Sequence, residues 1–356
     1  MQGKIPFPVE IVFAPSWWYK NTGITFDKEF FFNANRRVEV ERKMEKELYE
    51  RFGMYGLGAD KDKDFPVLGA VHLASGYLIS EMLGCNVLYT DDAPPQVVAA
   101  NQSELAVDIN KAFNSPIFKE LEKLVSELKA KYGYVTGDIN WSGVLNLALD
   151  LRGETIFMDM MDDPEKVKKY FWQLAEVIGK FTDYIEGLTG TTSISVNRNV
   201  INIEKPVYLH SECSHTMISD DMYEEFLMPI DEKWAKKHTA FGIHHCGKDP
   251  HRFAQSYAKL SNLAFLDVGW GGDVKLLRDN LPNTFLNIRL DPVSIIDTNA
   301  SEVPSIIEKL VKESNNPMLT GICCINMDEK VGDEKVAAIF ETAKNLRKQA
   351  RGCSPT

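Results

Sequence analysis

The sequence predicts an α/β protein folded as a (β/α)8 TIM barrel with helical insertions in its N-terminal half. Three observations predict it. Short apolar runs alternate with amphipathic, helix-like stretches throughout the second half. The ends of those runs carry polar or ligand-type residues, where such a barrel places its chemistry. The chain of 356 residues, 44% of them hydrophobic, suits one large barrel.

Five units recur after residue 206. VYLH (207–210) precedes DDMYEEFLMPIDEKWAKKH, and FGIHH (241–245) precedes DPHRFAQSYAKL. LAFLDVG (263–269) precedes GDVKLLRDNL, TFLNIRL (284–290) precedes SEVPSIIEKLVKE, and MLTGICCI (318–325) precedes DEKVAAIFETAKNLRKQA. Ser219 and Asp249-Pro250 are helix-start signals. Repeated units of this length imply parallel strands with helical crossovers. The first half offers three more strands, at 9–13, 66–72 and 138–143, to complete eight. NVLYT (86–90) reads as an extra strand or half of a hairpin, and 20–65 and 90–135 read as the insertions within a single domain. An open doubly wound sheet would use similar units, but no Gly-x-Gly-x-x-Gly follows a strand.

Composition narrows the function. A formal charge of −11 argues against a nucleic-acid partner. No apolar run reaches the ~18 residues of a membrane span, and the opening MQGKIPFPVEIVF lacks a basic segment followed by an apolar one. The expectation is a cytoplasmic protein whose six cysteines are ligands or core residues rather than bridges.

Six of the seven histidines fall between residues 210 and 251. His244-His245-Cys246-Gly247 is the sharpest feature. On an extended segment, residues i and i+2 share a side, so His244 and Cys246 can bind one ion. A third soft ligand would come from another strand end, with Cys323 lying 77 residues further on and Cys324 next to it. Thiolates and imidazole favour zinc. Glu212 and Asp267, at neighbouring strand ends, are candidate catalytic carboxylates, and either of them or Glu225 suits the open coordination position. Taken alone, a His-x-Cys is more often a core thiol beside a hydrogen-bonded imidazole, and a Cys-Cys pair is usually core packing.

Longer motifs add a resemblance. NLALDLRGETIFMDMMDDPEKVKKYF (146–171), ISDDMYEEFLMPI (218–230) and LNIRLDP (286–292) resemble, in order, segments of the uroporphyrinogen decarboxylase superfamily. Within it, His244-x-Cys246-Gly247 with a distant Cys resembles the zinc-dependent methylcobamide:thiol methyltransferases, such as those acting on coenzyme M. That resemblance implies His244, Cys246 and Cys323 as zinc ligands, with Cys324 the less favoured third. It also implies a corrinoid (methylcobalamin) co-substrate delivered by a corrinoid protein, a small-molecule methyl donor or thiol acceptor, and a homodimer. No Asp-x-His-x-x-Gly corrinoid motif occurs in the chain itself.

Trp17 and Trp18, after the first strand, read as a stacking wall for that cofactor or as core packing. An ether-demethylating branch uses a Glu, Glu, His set whose nearest register here is His210, Glu225 and Cys246; two of the three residue types differ, which ranks it below His-x-Cys but makes His210 a further candidate beside the cofactor. The superfamily's decarboxylases place arginines after the first strand, whereas this chain has Ala14-Pro15-Ser16-Trp17-Trp18-Tyr19. A substrate rich in carboxylates would lack its guanidinium partners there. A decarboxylase-like lyase and a non-catalytic zinc- or corrinoid-binding barrel are the competing readings.

Overall fold

The structure, a computed structural model, describes residues 3–60, 64–69 and 76–352. Its centre is a curled parallel sheet of six strands, in which the first strand pairs with the last and the others follow in reverse chain order. These are β1 (Val9–Phe13), β4 (Val207–Ser211), β5 (Ala240–His245), β6 (Leu263–Val268), β7 (Phe285–Arg289) and β8 (Thr320–Met327). All six run close to where the apolar runs predict them. They are almost wholly buried, as strands flanked by helices on one side and a barrel interior on the other must be. Asn86–Leu88 (β2) and Gln96–Val98 (β3) form a separate antiparallel hairpin.

Two expected strands are absent from the sheet among the described residues. The 66–69 part of the 66–72 segment makes one parallel bridge, Val67 to Thr136; residues 70–72 lie outside the described residues. The 138–143 segment is not a ladder strand because Asp138 takes over its pairing. The Asp138 carboxylate accepts from Ile194 N at 2.9 Å and Ser195 N at 2.7 Å, and from the hydroxyls of Thr191 and Ser195. Side-chain bonding here replaces the strand-to-strand bonds of a regular barrel. Among the described residues, β1 and β4 therefore remain the two edges of the six-stranded sheet.

Helices follow each strand of the second half. The helix after β4 runs from Asp220 to Lys237, with a π-helical turn at Tyr223–Leu227 inside it. The long helix Pro164–Thr189 starts where the Asp163 carboxylate accepts from Lys166 N, with proline in its first turn. In the first half, the helices Ala34–Phe52 and Pro116–Tyr132 occupy the stretches expected as insertions. Among the described residues, no helix is long and apolar enough to cross a membrane.

Candidate metal centre

Strand register builds the centre. Ser211 pairs with His244, His244 with Asp267, and Asp267 with Asn287. Continuing the β4–β5 register by two residues sets Cys213 beside Cys246. Parallel neighbours in register present their side chains to the same side. Arg289 pairs with Cys323, and Cys323 with Glu10, two positions beyond Asn287 and on the same face.

Cys213, His244 and Cys246 each offer a ligand atom, and these atoms lie within 4.8 Å of one another. His244 is buried, Cys246 is half-buried, and Cys213 is exposed at the mouth. The five described cysteines are free thiols. Nδ1 of His244 stands 2.6 Å from Asn197 Oδ1 and 3.0 Å from Asp267 Oδ2. Both are acceptors, so Nδ1 carries a proton, and it is Nε2 that must give up its own proton to offer a lone pair to a metal. That is how metal-binding imidazoles are commonly oriented.

Charge is divided unevenly between the thiols: the bond to Cys246, with burial, pushes the Cys213 thiol well above its ordinary pKa. The Cys213 thiol donates to Cys246, and this is the main reason the Cys246 thiol is held well below its ordinary pKa; burial opposes, while His244 and Arg289 add to the lowering. Burial pulls His244 down, but Asp267 and Cys246 outweigh it and raise its pKa to about 9. Burial likewise works against an ionised Asp267, yet Arg289 and His244 hold its carboxyl below the usual range. Arg289 Nη2 is 2.5 Å from Asp267 Oδ2 and 3.5 Å from His244 Nε2.

This donor set fits zinc. Two thiolates and a neutral imidazole balance a divalent charge, and three protein ligands leave a fourth position open. Arg289 is already neutralised by Asp267.

The grouping differs from the expected ligand set in its third member: Cys213 joins His244 and Cys246, and Cys323 does not. Cys323 is buried 3.8 Å from Asp267, and burial together with Asp267 pushes its thiol well above its ordinary pKa. Cys324 points to the opposite side of β8 and packs in the main hydrophobic core.

Glu212 and His210 lie next to the centre but are committed elsewhere. Nδ1 of His210 is 2.7 Å from Asp231 Oδ1, and Tyr223 donates to the other Asp231 oxygen at 2.8 Å. The helix Val144–Arg152 points its N-terminus at both residues: Val144 N donates to His210 Nε2 at 3.3 Å and Leu145 N to Glu212 Oε2 at 2.8 Å. Burial raises the Glu212 pKa to about 7, although His210 and three backbone amides favour its ionised form. Gly143 makes this docking fit, since a Cβ there would stand 2.6 Å from Glu212 Oε2 and 2.7 Å from His210 Nε2. Glu225 is on the surface, paired with Lys168.

Trp17 and Trp18 lie in the helix Pro15–Thr22 and are fully buried. Trp17 stacks on Phe13 at 4.0 Å between ring centres, and the Arg51 guanidinium covers it at 4.7 Å. No face of Trp17 is open to a cofactor, whereas Trp18 also lines a cavity with Phe13, Glu41 and Arg198.

Cys213 is nowhere among the ligands expected from the sequence, and Asn197 and Arg289 have no part in that expectation. Cys213 lies two residues past β4 and Cys246 one past β5, so only the strand register shows that they are neighbours.

Neither a family model nor a curated protein matches the sequence. Solved structures do match the fold. A methyltransferase from Methanosarcina mazei superposes with a TM-score of 0.65 at 14% identity, covering 96% of this chain and 94% of that one. A B12-independent methionine synthase from Shewanella sp. W3-18-1, solved with selenomethionine, superposes with a TM-score of 0.52 at 12% identity, covering 98% and 99%. The chain thus shares its barrel fold with two enzymes described as a methyltransferase and a methionine synthase.

Proposed function

We propose that the protein is a zinc-dependent methyltransferase that moves a methyl group between a carrier and a thiol. The observation that carries this reading is the convergence of Cys213, His244 and Cys246 within 4.8 Å. The names of the two enzymes sharing its fold support the class of reaction.

Cys213, His244 and Cys246 would hold the zinc, which when bound supplies the Lewis acidity that turns an incoming thiol into a thiolate near neutrality. Asn197 and Asp267 keep the His244 imidazole in the ligating tautomer. Cys246 enters the site ready to ionise. Cys213 borders solvent, so a small thiol reaches the centre from its side. The substrate sulfur attacks the methyl carbon, the S–C bond forms, and the bond to the carrier breaks with its electron pair left on the carrier. Burial of His244 and Asp267 keeps water from their side of the centre.

We further propose a corrinoid on a partner protein as the carrier, following the His-x-Cys-Gly resemblance. The B12-independent neighbour favours a second reading, in which the donor is a non-corrinoid methyl compound. Free thiols suit a reducing cytoplasm, and a homodimer is the proposed assembly.

Metal analysis and a methyl-transfer assay test this together. About one zinc per chain is expected, with thiol-dependent demethylation of methylcobalamin followed in the corrinoid spectrum. Zinc with transfer only from other donors selects the second reading. A metal-free, active lyase would overturn both.

A further inference from the structure

Behind the ligand cluster lies a buried polar centre that the proposed chemistry does not use. Tyr257, on the short helix Ala254–Tyr257, sends its phenol back toward the sheet. Its oxygen is 2.9 Å from Nδ1 of His215 and 2.9 Å from Nδ1 of His245. All three residues are fully buried. Phe253 and Tyr223 pack around them, with Phe253 stacked on Tyr257 at 5.7 Å and Tyr223 edge-on to it at 5.3 Å.

A phenol oxygen donates one proton and accepts others. It therefore donates to one imidazole and accepts Nδ1–H from the other, which sets the two rings in opposite tautomers, both neutral. Neither Nε2 has a hydrogen-bond partner; the Lys248 backbone also acts on the His245 ring, but the phenol is the tie the two rings share.

The two rings sit on the two segments that carry the thiols. His215 is two residues after Cys213, and His245 is one residue before Cys246. Two further contacts join the same segments: Arg252 donates to Thr216 O at 2.8 Å, and Gly247 is close enough to Thr216 that a Cβ would overlap it. The Tyr257 contact differs in being directional, buried and double.

We infer that Tyr257 is a positioning residue that sets the separation of Cys213 and Cys246 by clamping His215 and His245 to one oxygen. This rests on the reading of Cys213, His244 and Cys246 as a zinc site. Removing the hydroxyl leaves two buried Nδ1 atoms facing each other without a bridge, and the two thiol-bearing segments lose their common anchor. Loss of a group that orients metal ligands typically costs roughly 10–100-fold in metal affinity.

The test compares the full-length protein with Tyr257→Phe and with Tyr170→Phe, a control whose buried hydroxyl has no partner. Zinc affinity is read by competition with a chromophoric chelator. Cobalt(II) substitution reads the thiolate-to-metal charge-transfer band, which a general loss of stability does not reshape. Tyr257→Phe is expected to weaken zinc roughly 10-fold or more and to diminish the thiolate band, with Tyr170→Phe matching the unaltered protein. If Tyr257→Phe does not fold, His215→Phe removes one arm of the clamp while keeping an aromatic ring, and the same two changes are expected. A folded variant with unaltered affinity and band would overturn the inference alone. Absence of zinc binding by the unaltered protein would overturn the metal-site reading, and the clamp with it.

Discussion

The Asp267 carboxylate stands 3.0 Å from Nδ1 of His244, and its Oδ2 also receives the Arg289 guanidinium at 2.5 Å. One buried carboxylate thus orients a metal-type imidazole and neutralises the cation beside it. Asp267→Asn keeps the shape and removes the charge. Zinc affinity should fall roughly 10–100-fold, measured by chelator competition. Folding stability should fall by about 3–5 kcal/mol, because Arg289 is left buried without its partner. Unchanged affinity would assign the orientation of His244 to Asn197.

The third ligand can be decided by a pair of substitutions. Cys213→Ser should lose bound zinc, and Cys323→Ser should retain it, with both proteins analysed for metal after the same dialysis. X-ray absorption of the zinc-loaded protein should report two sulfur neighbours at ~2.3 Å. The reverse pattern would mean that Arg289, which pairs with Cys323 across β7 and β8, moves aside and lets Cys323 bind.

Gly143 gives a test of the docking between the first-half helix and the site. In Gly143→Ala, the new methyl group meets Glu212 and His210, both buried and both already bonded. Neither is the loose end of a surface chain, so the helix start must shift. A loss of about 1–3 kcal/mol is expected, read as a lower urea midpoint with an unchanged slope.

His238 lies at the other end of the barrel, stacked on Tyr208 with 4.1 Å between ring centres. Burial first, and Lys237 second, lower its pKa to about 4. An unfolded histidine titrates near 6.5. Below that value the unfolded chain takes up a proton that the folded chain refuses, so this contribution is complete above about 6.5 and is lost as pH falls toward 4. Over that interval the stability of His238→Asn should fall less steeply than that of the unaltered protein, read from denaturant midpoints at several pH values. Its imidazole proton resonance should stay in the neutral position down to about pH 4.

The strands β1 and β4–β8 were legible because each is buried on both faces and reads as an apolar run. The 138–143 segment misled for a specific reason: Asp138, which looks like a strand-end residue, satisfies neighbouring backbone by itself. His244 and Cys246 were legible together because the two-residue period of one strand links them. Cys213 was not, because its place depends on how β4 pairs with β5, and register between parallel strands joined by a helix is a tertiary property. Trp17 and Trp18 show the converse limit. A run of aromatic residues looks the same in a pocket wall and in a core, and burial decides.

Those two tryptophans also bear on the order in which the molecule is made. β1 leaves the ribosome first, yet its ladder partner among the described residues is β8, which begins more than 300 residues later. Contacts so far apart in sequence form slowly, and a strand left waiting offers an unpaired edge to other chains. Phe13, Trp17 and Phe52 stack in series under Arg51, all within the first 52 residues. This local aromatic stack is a set of native contacts that the first strand can make before the last strand has been synthesised.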